Sequence, residues 1–333
     1  MLGASCHKGR NSFQKEVLQV KPAVTASQNE QGPILSKKGT GLFANKRLLK
    51  LNLFAWVFLA PYLLFYSIFM LYPIVKGFIV SLYEWTIGNE RTFVGLGNYK
   101  AMFQDSFFWE SLGNTLYFVV ISTPTLVVVG ILLALLVNAK LNGTGFLRSA
   151  FFLPHILSIS VISSIWVFVL QPYTGLLNSV LKSIGVSTEV FWLSSPNLAW
   201  FSILLATIWW TVGFNMVLFL AGLQEIPDDL YEAARIDGAN SWHCFRYITL
   251  PSLKGVILLV VVLQSIASFK LFGQSYLMTN GGPGTATRTL VQYIYETGFR
   301  ANEMGLASAM SYVLFLVMIL FALVQFKFLS KKD

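Results

Sequence analysis

The sequence predicts an all-α integral membrane protein, a helical bundle of six transmembrane helices, on three observations. Of its 333 residues, 55% are hydrophobic and 12% charged, with a mean hydropathy of +0.63, whereas an average soluble domain is about 25% charged. So few charges cannot cover a water-facing surface on a chain this long, and a bilayer is the natural solvent. Six stretches, roughly 53–82, 113–138, 150–171, 199–224, 255–275 and 306–328, are apolar enough and long enough to cross it, at about 20 residues per crossing. Lys and Arg fall almost entirely between these stretches, with Lys76 and Lys270 inside them and Lys327 at the end of the last.

Residues 1–50 are polar, rich in Gly, Ser, Gln, Asn and Lys and without apolar periodicity. They are expected to form a disordered tail rather than a signal peptide, because the first long apolar run begins after Leu51. Residues 51–333 form the transmembrane domain. The first stretch is long enough to tilt or kink around Pro61 and Pro73, and Pro124 interrupts the second. Membrane helices tolerate such prolines because neighbours re-satisfy the freed carbonyls. Seventeen Lys and Arg residues lie in the tail, the 139–149 and 225–254 loops and the C-terminal end, against five in 83–112, 172–198 and 276–305. Without the first 50 residues the bias is still eight to five, so both termini are expected to be cytoplasmic.

Several function classes are excluded. The basic residues are interleaved with apolar spans instead of forming a stripe on a soluble domain, which argues against a nucleic-acid partner. Cys6 and Cys244, with His7, His155 and His243, show no metal-ligand or redox spacing, and as cytoplasmic residues the cysteines are expected to be free thiols. No nucleophile–base set falls inside the spans, as an intramembrane enzyme would require. There is no Gly-x-x-x-x-Gly-Lys-Ser/Thr phosphate loop, and the cytoplasmic loops are too short to hold a nucleotide-binding domain. Energy for any transport must come from a partner or an ion gradient. No Asp or Glu lies within a span, which counts against the alternative of an ion-gradient-driven secondary transporter.

The most informative loop, 225–254, contains Ile226-Pro-Asp-Asp-Leu-Tyr-Glu-Ala-Ala-Arg-Ile-Asp-Gly238. Pro227 fits a first helical turn, Asp228 and Asp229 complement the positive end of the dipole, and Gly238 suits the left-handed residue just past a helix end. Ala233 and Ala234 permit close approach by another protein. Trp242, Phe245 and Ile248 then give an amphipathic segment along the interface, ending at Leu250-Pro251 where the next span begins. Two readings are open: an ordinary interfacial loop, or a helix on which a partner docks.

Glu232-Ala233-Ala234, Asp237-Gly238-Ala239, Phe245, Ile248 and Leu250-Pro251 resemble the EAA loop of ABC-importer permeases. Phe93-Val-Gly-Leu-Gly-Asn-Tyr99, Asn114-Thr115, Arg148 with Phe152-Leu-Pro154, and Thr279-Asn-Gly-Gly-Pro283 resemble the carbohydrate-uptake, maltose-type branch of that family. The resemblance runs from about residue 51 to the C-terminus. It implies a type I ABC importer permease fold and a coupling helix, with Asp229 on it, seated in a groove of a partner ATPase. It also implies a second related permease, two cytoplasmic ATPase subunits that carry ATP and Mg, an extracellular or periplasmic solute-binding protein, and a bacterial cell membrane location. The chain itself is then a transport subunit, not an enzyme, and binds no cofactor directly.

Polar groups inside spans mark candidate solute contacts. Thr207, Trp210, Thr211 and Asn215 are spaced i, i+3, i+4 and i+8 and share one helical face. That face suits either a saccharide path or a helix–helix contact held by small polar residues. Lys270 either meets solute, pairs with another subunit or snorkels to the interface. The resemblance favours the path for the fourth-span face and adds His155 and Ser268. The solute it implies is an oligosaccharide, neutral or anionic. Trp56, Trp85, Trp109, Trp192 and Trp200, near span ends or in loops, are expected to be interfacial anchors.

Overall fold

The computed structural model describes residues 56–329 apart from 87, 89, 140–142 and 187; the expected tail at 1–50 lies outside the described residues. The chain divides into two units, Met1–Leu64 and Phe65–Asp333. The described part of the first unit is helical. The second unit holds the rest of that helix and all the other elements.

Four helices are long and apolar enough to cross a membrane: α1 (Trp56–Ser81), α3 (Ser106–Asn138), α7 (Pro196–Gln224) and α12 (Met304–Leu329). Two further crossings are bent pairs: α4 (Thr144–Ile156) with α5 (Ile159–Val169) at 102°, and α9 (Ser241–Ser252) with α10 (Lys254–Phe269) at 65°. Shorter elements connect them. A two-residue antiparallel ladder pairs β1 (Tyr83–Glu84) with β2 (Thr92–Phe93), followed by α2 (Gly97–Gln104), α6 (Leu176–Ser183), α8 (Asp228–Ile236) and α11 (Leu290–Tyr295). The six expected stretches thus fold as four continuous helices and two bent pairs, six crossings if each bent pair is one span. One end of the bundle carries α8, the other α11.

The long helices follow from their residues. Pro73 in α1 follows a π-helical stretch at Ser67–Leu71, a local widening that lets a proline-bearing helix continue. Asp105 caps α3 by accepting from the Phe107 N–H, so this helix begins well before its apolar run. Between lipid-embedded helices there is no hydrophobic driving force of the aqueous kind, so small residues and polar pairs hold the contacts. Such contacts link α3 and α10 through Ser122 and Ser268 (2.8 Å), α7 and α10 through the Gln264 Nε2 donor and Asn215 Oδ1 (2.7 Å), and α10 and α12 through Gln325 and Ser265 (2.6 Å).

Three expectations need correction. The third stretch, 150–171, is not one straight helix: Leu157 is extended (φ −72°, ψ 148°), and Ser158 restarts the chain as an N-cap accepting from Val161 N–H. The fifth does not reach residue 275. Its helix stops at Phe269, with Lys270 as the capping residue (φ −91°, ψ 13°), and a π-helical turn at Ser275–Thr279 follows. Trp200 is not an interfacial anchor but a core residue, stacked on Phe118 at 5.5 Å and donating to Ala286 O at 3.0 Å.

Motif residues of the loops at the α11 end act as ties. The Asn98 amide donates to Ser81 O and Tyr83 O (2.8 and 2.9 Å), and the Tyr99 hydroxyl meets Ser81 Oγ at 2.8 Å. Asn114 donates to Thr285 O and Arg288 O, while Thr115 Oγ1 accepts from Leu290 N–H. The segment between α6 and α7 hangs on buried Asn178. Its amide donates to Val190 O (3.0 Å) and its Oδ1 accepts from Trp192 Nε1 (3.2 Å). Asn178→Leu leaves both of those partners unmatched, at about 1–3 kcal/mol for a buried group without a partner. Faster hydrogen exchange across residues 188–193 is the expected result, with exchange in α7 unchanged.

Candidate functional site

The 225–254 segment folds as α8 and α9, and no residue of α8 is buried. Pro227 stands one position earlier than expected, as N-cap (φ −60°, ψ 133°) rather than within the first turn; its fixed φ suits either place, and its extended ψ decides. Asp228 and Asp229 occupy the first turn and Arg235 the last, each complementing the dipole. At the far end the Ala239 N–H donates to Ala234 O (2.9 Å) and the Gly238 N–H to Arg235 O (3.1 Å). With Gly238 at φ +81°, this is the double hydrogen-bond closure that favours glycine past a helix end. A nine-residue helix is marginal alone, and the closure at its C-terminus together with the acidic first turn supports it.

Glu232 and Ala233 are exposed and Ala234 half-buried. Ile236 is 87% exposed and Trp242 66%, an apolar exposure unusual beside charged neighbours. A surface pocket of about 380 Å³ lies between α8 and α9, lined by Ala234, Asp237, Gly238, His243 and Tyr247 among others. The two helices are fastened together by the Tyr231 and Thr249 hydroxyls (2.9 Å). Both ends of the segment are rooted in the bundle. Leu253, fully buried just past Leu250-Pro251, sits in a cluster with Val137, Leu220, Leu223 and Val260, and Ile226 and Phe245 pack against that cluster. A push on α8 therefore acts on α3, α7 and α10 together.

The second constellation lies at the elbow between α4 and α5. The Trp210 Nε1–H donates to Leu157 O (3.2 Å), taking up a carbonyl that the break withdraws from helical bonding. His155 stacks on Phe214 (5.1 Å, 19°) and tilts against Trp210 (6.2 Å); its Nδ1 is buried without a hydrogen-bond partner. Together Phe152, His155, Trp210 and Phe214 form a half-exposed aromatic shelf. The approach of α4 to α7 is possible because position 213 is glycine: a Cβ there would lie 2.0 Å from Phe151 O.

The residues expected from sequence to meet the solute separate into two groups. His155, Trp210 and Thr211 are half-buried on or beside the shelf, Thr211 donating to Thr207 O. Thr207, Asn215 and Ser268 are buried. Thr207 bonds Ile203 O (2.7 Å), Asn215 pairs with Gln264 and Ser268 with Ser122, although Asn215 Nδ2 lacks a partner. For Asn215 and Ser268 the geometry is that of a helix–helix contact, whereas Thr207 bonds back within α7 itself. Lys270 is exposed at the end of α10, apart from both groups, where a cation complements the helix dipole. The hydrogen bond from Trp210 to the elbow leaves no trace in the sequence, because its acceptor is a backbone carbonyl. Among the described residues no three His, Cys, Asp or Glu side chains gather as a metal site would need.

Residues 94–332 match the family of binding-protein-dependent transport system inner membrane components. The chain belongs to this family. The permease is 38% identical over 275 residues to the arabinooligosaccharides transport system permease protein of Bacillus subtilis (strain 168), covering 82% of the chain and 87% of that relative. It is 37% identical over 276 residues to the lactose transport system permease protein of Rhizobium radiobacter, covering 81% and 92%. Among solved structures, a chain of a bacterial alginate ABC transporter, in complex with alginate pentasaccharide-bound periplasmic protein, superposes with a TM-score of 0.74 at 25% identity, covering 84% of this permease and 94% of that chain. The permease is therefore an all-α, multi-pass membrane subunit with the type I ABC importer fold, and a transport component rather than an enzyme.

Proposed function

We propose that the permease is one of two non-identical membrane subunits of an ATP-driven, binding-protein-dependent importer of a saccharide. The observation that carries this reading is α8: a short helix with no buried residue, closed at its C-terminus on Gly238, whose flanks are anchored in the core of three spans. A water-facing helix with Ile236 so exposed is suited to a groove on another protein. Two cytoplasmic ATPase subunits, holding ATP and Mg, would supply that groove on each of the two permeases and drive alternation between inward- and outward-open states. The α8 end and both termini are then cytoplasmic, in keeping with the Lys and Arg bias. An extracellular or periplasmic binding protein delivers solute at the opposite end.

The names of the relatives support a saccharide, and an oligosaccharide, neutral or anionic, is the class we assign. The aromatic shelf supports the same class: a sugar ring stacks on Trp210 while His155 and Thr211 exchange hydrogen bonds with its hydroxyls. Asn215 and Ser268 serve the path from behind, by fixing the spans that present the shelf, with Thr207 buried on the same helix as Asn215 and Lys270 a further candidate contact at the end of α10.

The test is ATPase activity and uptake by the reconstituted complex with binding protein and candidate sugars, comparing wild type with Glu232→Ala/Gly238→Pro. Proline cannot adopt φ +81°, and it deletes the N–H that closes α8 on Arg235. The variant is expected to assemble in the membrane yet lose solute-stimulated hydrolysis and uptake together. Uptake that persists without ATPase subunits and follows a proton or sodium gradient would sink the importer reading in favour of a secondary transporter.

A further inference from the structure

Helix α6 lies in the segment between the third and fourth crossings, at the α11 end, and its eight residues divide into three sectors. Leu177, Asn178 and Leu181 face the protein: Asn178 is buried, and Leu177 packs on the cluster that contains Leu170 and Trp200. Ser179, Lys182 and Ser183 form a polar exposed edge. The third sector is apolar yet uncovered: Leu176 is 61% exposed, Val180 49% and Ile184, just past the helix, 70%. These three are spaced i, i+4 and i+8 and so stand in one row.

A helix face turned to water would be expected to carry charge. The single charged side chain of α6, Lys182, is instead neutralised on the polar edge by Glu189 at 2.5 Å. The hydrogen bond from Lys182 holds the Glu189 carboxyl below its usual range. Glu189 also accepts from Tyr173 N–H (3.3 Å).

The row continues an exposed apolar surface on the neighbouring bent pair of helices. On α5, the second half of the apolar bent pair, Val161, Ile165 and Phe168 are exposed along one side, and α6 begins at Leu176, soon after α5 ends at Val169. Six residues join the two helices, so α6 starts within about 20 Å of the end of that apolar pair. Tyr173 and Phe191, both exposed and packed edge to face at 5.9 Å, flank it as aromatic side chains do at that depth.

We infer that α6 is an interfacial anchor that seats Leu176, Val180 and Ile184 in the acyl–headgroup boundary of the adjacent phospholipid leaflet, fixing the segment that joins the α4–α5 elbow to α7. An amphipathic helix with an apolar row and a polar edge lies in the plane of the interface in this way. The consequence is mechanical: the elbow and the shelf it carries are held relative to the membrane surface, not only relative to the other spans.

The experiment uses the complete importer in nanodiscs of phosphatidylethanolamine and phosphatidylglycerol, with a benzophenone amino acid in place of Val180 or, for comparison, of Ser179. Illumination at position 180 is expected to give several-fold more phospholipid adduct than at position 179, resolved by mass. Adducts at position 180 to the binding protein or to the second permease would show that a protein covers the row, and would overturn the assignment. Equal lipid labelling at the two positions would overturn it as well.

Discussion

Gly213→Ala is expected to disrupt the seating of α4 on α7 and to lower sharply the amount of folded subunit recovered from membranes. The added methyl would sit 2.0 Å from Phe151 O, 2.6 Å from Phe151 C and 2.8 Å from Phe152 Cα. All three are main-chain atoms, so no rotamer change relieves the overlap and the elbow helix itself has to move. Overpacking costs about 1–3 kcal/mol, occasionally more, and a rigid backbone neighbour places this case at the upper end. Gly145, inside α4, is the internal comparison because nothing lies within 4 Å of its would-be Cβ. Gly145→Ala should be neutral or stabilising, since glycine within a helix costs about 0.5–1 kcal/mol relative to alanine. The measurement is the thermal midpoint of the detergent-purified subunit together with its yield. Similar midpoints for the two variants would show that the close crossing at Gly213 is not what holds the elbow.

The same crossing shows where the sequence is transparent and where it is not. The spans at α3, α7 and α12 are plain in the sequence because each is one long apolar run that folds as one helix, α3 continuing through Pro124. The α8 loop is also legible, since Asp228, Asp229 and Gly238 report local backbone physics that the surroundings do not override. The α4–α5 elbow is not. Leu157 and Ser158 sit within a continuous apolar stretch, and a hydropathy window cannot tell a lipid-facing helix from a chain that breaks and restarts on a serine cap. The stop at Phe269 is hidden for the same reason, because Leu271 and Phe272 prolong the apolar run after the backbone has turned. The fourth-span face is legible only halfway. Spacing places Thr207, Trp210, Thr211 and Asn215 on one side of a helix, but the partner opposite each of them is a matter of tertiary structure. Gln264 meets Asn215 inside the bundle, whereas Trp210 reaches an elbow that the sequence does not announce.

Trp210 joins the shelf to the elbow, and two substitutions separate those roles. Trp210→Phe keeps an aromatic face beside His155 but deletes the Nε1–H donated to Leu157 O, a loss of about 0.5–1.5 kcal/mol for one hydrogen bond. It is expected to lower the thermal midpoint modestly and leave saccharide uptake largely intact. Trp210→Ala removes the ring as well. If the shelf carries the sugar, uptake by the complete importer should fall by about tenfold or more, equivalent to about 1.4 kcal/mol. ATPase activity stimulated by binding protein alone should persist, because α8 and its anchoring residues Ile226, Phe245 and Leu253 lie outside the shelf. Such a split between transport and hydrolysis is what a solute contact produces, since a merely structural loss would depress both in proportion to the folded fraction. Wild-type uptake by the alanine variant would remove Trp210 from the path. Equal defects in the phenylalanine and alanine variants would assign the residue wholly to holding the elbow.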